Sequence, residues 1–115
     1  MSVRRTIPEY DGIYFITFTC WKWLKLFEIS NAHSAIYKWF DVLKAQGHYI
    51  TGYVIMPNHI HALLAFSNTQ GVSINAIVGN GKRFIAYEII KNLKTLKNYE
   101  LLYQLEKGVT KKDAY

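Results

Sequence analysis

The two apolar runs on either side of Pro57-Asn58 constrain this chain more than any other feature. Residues 48–56 read His-Tyr-Ile-Thr-Gly-Tyr-Val-Ile-Met and residues 59–66 read His-Ile-His-Ala-Leu-Leu-Ala-Phe, both rich in β-branched and aromatic side chains. Only a proline and an asparagine separate them, which leaves room for a tight reversal. The runs are therefore predicted to be the strands of an antiparallel hairpin. A lone hairpin is marginal in water and needs a third strand or a helix against its apolar face.

The remaining sequence supplies both. Residues 13–21, Ile-Tyr-Phe-Ile-Thr-Phe-Thr-Cys-Trp, follow the breaker Asp11-Gly12 and predict a first strand. In residues 31–46 the apolar positions Ala32, Ile36, Trp39, Phe40 and Leu43 recur every three or four residues, with Ser30 or Asn31 as candidate N-cap and Gly47 as terminator. After a polar loop, Ser73 is placed to cap a second helix whose apolar face runs Ile74, Ile77, Val78, Gly81, Phe84, Ile85 and Ile89. Gly79 and Gly81 cost about 1 kcal/mol each against alanine there, so they mark a break, a kink or a close packing contact. Residues 94–107 predict a third helix on Leu96, Tyr99, Leu102 and Leu105.

Strand, helix, strand, strand, helix in that order is the pattern of an α+β fold, a ferredoxin-like sandwich with an antiparallel sheet and helices packed on one face. At 115 residues, half of them hydrophobic, the chain has core enough for one domain, and residues 1–115 are read as one. A complete sandwich of this type has a further strand after the second helix, and nothing after residue 93 reads as one. The domain is therefore expected to be incomplete at its C-terminal end, or to borrow that strand from a partner chain.

Fourteen Lys and Arg against eight Asp and Glu give a formal charge of +6, which favours polyanionic partners. The 9 Tyr, 6 Phe and 3 Trp sharpen this, because aromatics among cations hold single strands by stacking; a tyrosine-rich core and dimer surface accounts for them equally well. Cys20 is the sole cysteine, so there is no intramolecular disulfide and no thiolate metal cluster, and a reducing, cytoplasmic setting is expected. No stretch is long and apolar enough for a membrane span. Arg4 and Arg5 read as a solvated tail that could reach DNA.

His59-Ile60-His61 opens the third strand. Side chains alternate along a strand, so both imidazoles leave one face while Ile60 leaves the other. Two imidazoles on rigid β-structure form half a site for a divalent ion, and the alternative is partly exposed sheet surface. The strand is otherwise apolar, an expensive place for polar groups without a task.

The segment Gly52-Tyr-Val-Ile-Met-Pro-Asn-His-Ile-His-Ala-Leu-Leu64 resembles the HUH segment of single-tyrosine transposases, and residues 14–94 resemble the REP-associated branch of that family. The resemblance implies a DNA-binding transposase, usually a homodimer, that cleaves and rejoins single-stranded hairpin DNA through a phosphotyrosine intermediate. It implies that His59 and His61 hold Mg or Mn against the scissile phosphate. In the REP-associated branch the nucleophile sits in a segment resembling Tyr-Ile-x-x-Asn-Pro, which this sequence lacks, so the nucleophile is expected beyond residue 115.

Tyr87 is the fallback nucleophile, on a helix flank with Arg83, Lys91 and Lys94, a cationic row at helical spacing that could face DNA. Lys91 occupies the position four residues on, where family members place a further ligand, and a tyrosine packed at the helix edge is the competing reading. Lys82 joins the basic helix, and Lys22, Trp23 and Lys25 could stack and neutralise a strand just past the first β-strand. Trp39 is read as core, and His33 and His48 as exposed or capping. Two other functions fit parts of the pattern: a non-catalytic single-stranded nucleic-acid-binding module, and a metal hydrolase of small phosphates using water.

Overall fold

Three strands form one antiparallel sheet in the computed structural model, which describes residues 11–112 and the side chains of residues 11–107. Arg4 and Arg5 lie outside the described residues. β1 (Gly12–Thr19) pairs with β3 (His59–Phe66), which pairs on its other side with β2 (Tyr49–Ile55). Both outer strands run antiparallel to β3 and so point the same way. The chain passes between them through α1 (Leu26–Ile29) and α2 (His33–Ala45), giving the split βαβ arrangement that the element order predicts. After β3 come α3 (Ile74–Thr95) and α4 (Tyr99–Lys112); among the described residues no strand follows α3.

Alternation along the strands decides which side is core. Ile16 and Phe18 of β1 and Ile60, Ala62, Leu64 and Phe66 of β3 are buried against Ile36, Trp39, Phe40 and Leu43 of α2 and Ile74, Val78, Ile85, Ile89 and Leu93 of α3. Each of the buried Ile, Leu, Val and Phe side chains contributes about 1.5–3 kcal/mol by leaving water. The other face of the sheet carries Ile13 and Phe15 of β1, Leu63 of β3 and Tyr49 and Val54 of β2, all exposed, together with His59 and His61. The α+β sandwich with helices on one sheet face is thus present.

Several boundaries differ from expectation for identifiable reasons. β1 stops at Thr19, and Trp21 lies in a tight turn, Trp21–Trp23, in which Lys22 and Trp23 adopt left-handed φ of 53° and 58°. Neither Ser30 nor Asn31 caps α2. The Ser30 hydroxyl donates to the Leu26 carbonyl at 2.6 Å and closes α1, Asn31 is left-handed, and Ala32 stands at the cap without a side-chain bond. Gly47 does end α2: at φ 92° it donates to the Lys44 carbonyl while His48 N–H donates to the Leu43 carbonyl, the paired closure that favours glycine. α3 runs unbroken through both glycines. The expected third helix begins only at Tyr99, because Lys97 and Asn98 close α3 by the same pair of bonds, onto Lys94 and Leu93, with Lys97 left-handed at φ 60°.

Candidate metal and nucleic-acid site

The histidine pair is built by β-pairing. His61 stands opposite Thr17 of β1 and Val54 of β2, and His59 opposite Thr19. Both rings leave the open face, half-buried, with centroids 4.7 Å apart and edge-on. Each Nδ1 already has a partner: His59 Nδ1 lies 2.8 Å from Asn58 Oδ1, and His61 Nδ1 lies 3.1 Å from Thr17 Oγ1. Aromatic rings flank the pair, with Phe15 stacked on His61 at 5.3 Å and Trp23 edge-on to His59 at 5.8 Å.

Among the described residues no third His, Cys, Asp or Glu joins the pair, so the protein offers two nitrogen donors there. Two imidazole nitrogens by themselves suit Zn, Cu, Fe or Ni, and with water and phosphate oxygens filling the remaining positions the set is also compatible with Mn or Mg. No Asp, Glu, Lys or Arg lies in β1, β2 or β3, so the strands themselves present no carboxylate to an anionic substrate. The turn after β1 brings cations to the histidine end. Cys20 N–H donates to the Asn58 carbonyl at 2.9 Å, and the Asn58 amide donates to the Trp23 carbonyl at 3.4 Å, which ties the turn to the head of β3. Lys22, Trp23 and Lys25 are all exposed on this turn, and the Lys22 ammonium sits 4.8 Å from the Trp21 ring centroid.

A second surface lies on the helices. Arg83, Tyr87, Lys91 and Lys94 are exposed along α3, with Arg83 bonded to the Asn80 side chain. The inner residues of α3 pack on the core face of the sheet, so the sheet stands between Tyr87 and the histidines of its own chain. Lys82 is half-buried on the same helix, its ammonium 5.2 Å from the centroid of Phe18, a core residue of β1. The structure therefore brings His59, His61 and Trp23 together, with Lys22 and Lys25 flanking Trp23 in the chain, and sets Tyr87 on the helix layer at the other face of the sheet.

Asn58, Thr17 and Phe15 belong to this site and carry no signal as isolated letters. Asn58 was visible in the sequence as part of the hairpin turn and of the segment that resembles the HUH motif, but not as a partner of His59, and Thr17 and Phe15 gain meaning from the β1–β3 register. His48 is buried rather than exposed, its ring edge-on to Phe66 and its Nδ1 accepting from Ser67 N–H at 3.1 Å; burial pushes its pKa below the ordinary value. His33 is half-buried at the start of α2. Cys20 is buried, and burial raises its thiol pKa. Among the described residues no helix is long and apolar enough to cross a membrane.

No family model matches the sequence, and no curated protein is similar to it. Among solved structures, the chain is similar to a REP-associated tyrosine transposase bound to a REP hairpin, with a TM-score of 0.55 and 19% identity over 76% of this chain. It spans 52% of that protein's chain, about half its length. The two chains share a fold.

Proposed function

We propose that this chain is the DNA-binding and metal-holding part of an HUH-type, single-tyrosine transposase that cleaves and rejoins single-stranded hairpin DNA. The observation that carries the reading is the His59–His61 pair, side by side on an open, carboxylate-free sheet face in a fold shared with a hairpin-bound transposase.

In this reading His59 and His61 would hold Mg or Mn, which would supply polarisation of the scissile phosphate and offset the charge that builds in the transition state. Thr17 and Asn58 hold the two rings, and β3 keeps them in register. Trp23 stands where an unpaired base beside the phosphate could stack, and Lys22 and Lys25 neutralise neighbouring phosphates. Arg83, Lys91 and Lys94 form an exposed row that fits the backbone of a hairpin stem, and Lys82, half-buried against Phe18, would contribute charge from beside it.

The covalent step is attack of a tyrosine phenolate on phosphorus. The bond to the 3′ oxygen breaks, that oxygen takes up a proton, and a 5′-phosphotyrosine link conserves the bond energy for rejoining. A phenol with an ordinary pKa near 10 is mostly protonated at neutral pH, so the step needs the metal or a base to remove its proton. Tyr87 is the candidate in this sequence. Because the sheet separates it from its own histidines, attack by Tyr87 would fall on the pair of a second copy, as a homodimer would permit.

The test is incubation of this chain, and of any longer product of its gene, with a labelled single-stranded hairpin and Mn, followed by a denaturing gel. A protein–DNA adduct that disappears in the double variant His59→Ala, His61→Ala supports the reading, and loss of the adduct in Tyr87→Phe names the nucleophile. Hairpin binding that ignores metal, with no adduct from either form, makes the chain a non-catalytic binding module instead. Turnover of small phosphates without an adduct makes it a hydrolase.

A further inference from the structure

The hydrogen-bonding groups around the histidine pair are not equivalent, and their difference assigns a role to residues outside the pair. Asn58 touches two groups at once: its amide lies 3.4 Å from the Trp23 carbonyl and 2.8 Å from His59 Nδ1. A carbonyl oxygen can only accept, so the amide NH₂ must face Trp23, and the reverse orientation would set two oxygens against each other. The Asn58 oxygen then faces His59, and an amide oxygen also only accepts. The proton of the neutral ring is thereby placed on Nδ1, and Nε2 keeps its lone pair.

This is the tautomer that a metal ligand bound through Nε2 requires, and it is the one that a free histidine side chain disfavours in water. Thr17 acts differently. Its hydroxyl, 3.1 Å from His61 Nδ1, can donate or accept, so it steadies the ring in either tautomer without choosing one. Its place directly opposite His61 in the β1–β3 register gives the contact a rigid base.

We propose that Asn58 and Thr17 are positioning residues for the histidine pair, Asn58 by fixing His59 as the Nδ1–H tautomer and Thr17 by holding the His61 ring against β1. The inference rests on the metal reading for its purpose, but the tautomer is a property of the metal-free protein. Asn58 also couples the site to the turn that carries Trp23. One ring is thus oriented from the turn and its neighbour, 4.7 Å away by centroid, from β1, and an ion held by both would meet rings already fixed. Partners of this kind commonly change metal affinity about 10- to 100-fold when removed.

The experiment uses the full 115-residue chain, metal-free, at pH 8, with the imidazole nitrogens read by long-range proton–nitrogen correlation. The expected result is a protonated Nδ1 and a bare Nε2 on His59. Asn58→Ala should lose that assignment, while Asn58→Asp, which keeps an acceptor oxygen, should retain it. Mn dissociation constants, followed through the resonance signal of the free ion, should rise about 10- to 100-fold in Asn58→Ala and Thr17→Val, with recovery in Asn58→Asp and Thr17→Ser.

The dispersed backbone spectrum of each variant shows that it has folded. A His59 ring protonated on Nε2 in the native chain overturns the proposal. So does an unchanged Mn affinity in Asn58→Ala and Thr17→Val while His59→Ala abolishes binding. Failure of the underlying function looks different: Mn binding that survives loss of both histidines removes the metal reading, and the purpose of the positioning with it, whatever the tautomer.

Discussion

A methyl group added at Gly81 would lie 2.2 Å from Cε2 of the Trp39 indole, so α2 approaches α3 closely at a position where α3 has no side chain. The glycine is there for that approach. Gly79, two residues earlier in the same helix, has nothing within 4 Å of its would-be methyl group. The two glycines therefore respond oppositely to alanine. Gly81→Ala forces the indole out of place and should destabilise the fold by about 1–3 kcal/mol, despite alanine's better helix propensity. Gly79→Ala should stabilise it by about 0.5–1 kcal/mol. Urea denaturation of both variants checks the pair.

His48 gives the fold a pH dependence of known sign. Its ring is buried and its Nδ1 accepts the Ser67 N–H, so a proton there breaks a hydrogen bond and charges an apolar site; burial accordingly lowers its pKa below 6.5 in the folded chain. The unfolded chain then binds the proton more readily. The stability contributed by His48 is fully present above about pH 6.5 and is lost as pH falls towards its folded pKa. Melting temperatures measured from pH 7.5 down to 5 should fall, and His48→Gln should flatten that fall relative to the native chain.

The start of α3 rests on Ser73, whose hydroxyl accepts Ala76 N–H at 3.1 Å. Ser73→Ala removes the cap and should cost about 1 kcal/mol, whereas Ser73→Asp, which keeps an acceptor at a helix N-terminus, should restore most of it. Denaturant midpoints distinguish the two.

The cationic flank of α3 makes a prediction about DNA that does not depend on chemistry. If Lys91 and Lys94 meet hairpin phosphates, Lys91→Ala and Lys94→Ala should each weaken binding to hairpins of any sequence and lower the slope of log affinity against log salt by about 1. Fluorescence anisotropy with a labelled hairpin at several salt concentrations reads both quantities. An unchanged slope would remove α3 from the DNA surface.

Much of this architecture was legible because the signals were local and periodic. Pro57-Asn58 between two β-rich runs implied the hairpin, and Gly47 after the apolar stripe of Ile36, Trp39, Phe40 and Leu43 marked the end of α2. The break between α3 and α4 was not legible, because the left-handed closing position is filled by Lys97 instead of a glycine. Ser30 was a reasonable cap by residue type, but its hydroxyl is used one turn earlier by Leu26. The orientation of His59 and His61 followed from strand alternation alone. The partner of His61 did not, since Thr17 lies 44 residues away and meets it only through the register of β1 on β3. The separation of Tyr87 from the histidines likewise depends on which sheet face the helices cover, which no residue pattern states by itself.

The central claim is that His59 and His61 together hold a divalent ion on the open face of the sheet, and paramagnetic broadening tests it most directly. Mn added in small amounts to the nitrogen-labelled chain should broaden the backbone signals of His59, His61, Thr17 and Val54 first, fading towards Ala65 and Tyr49, and the effect should vanish in His59→Ala, His61→Ala. Broadening centred elsewhere, or unchanged when both histidines are gone, would contradict the account.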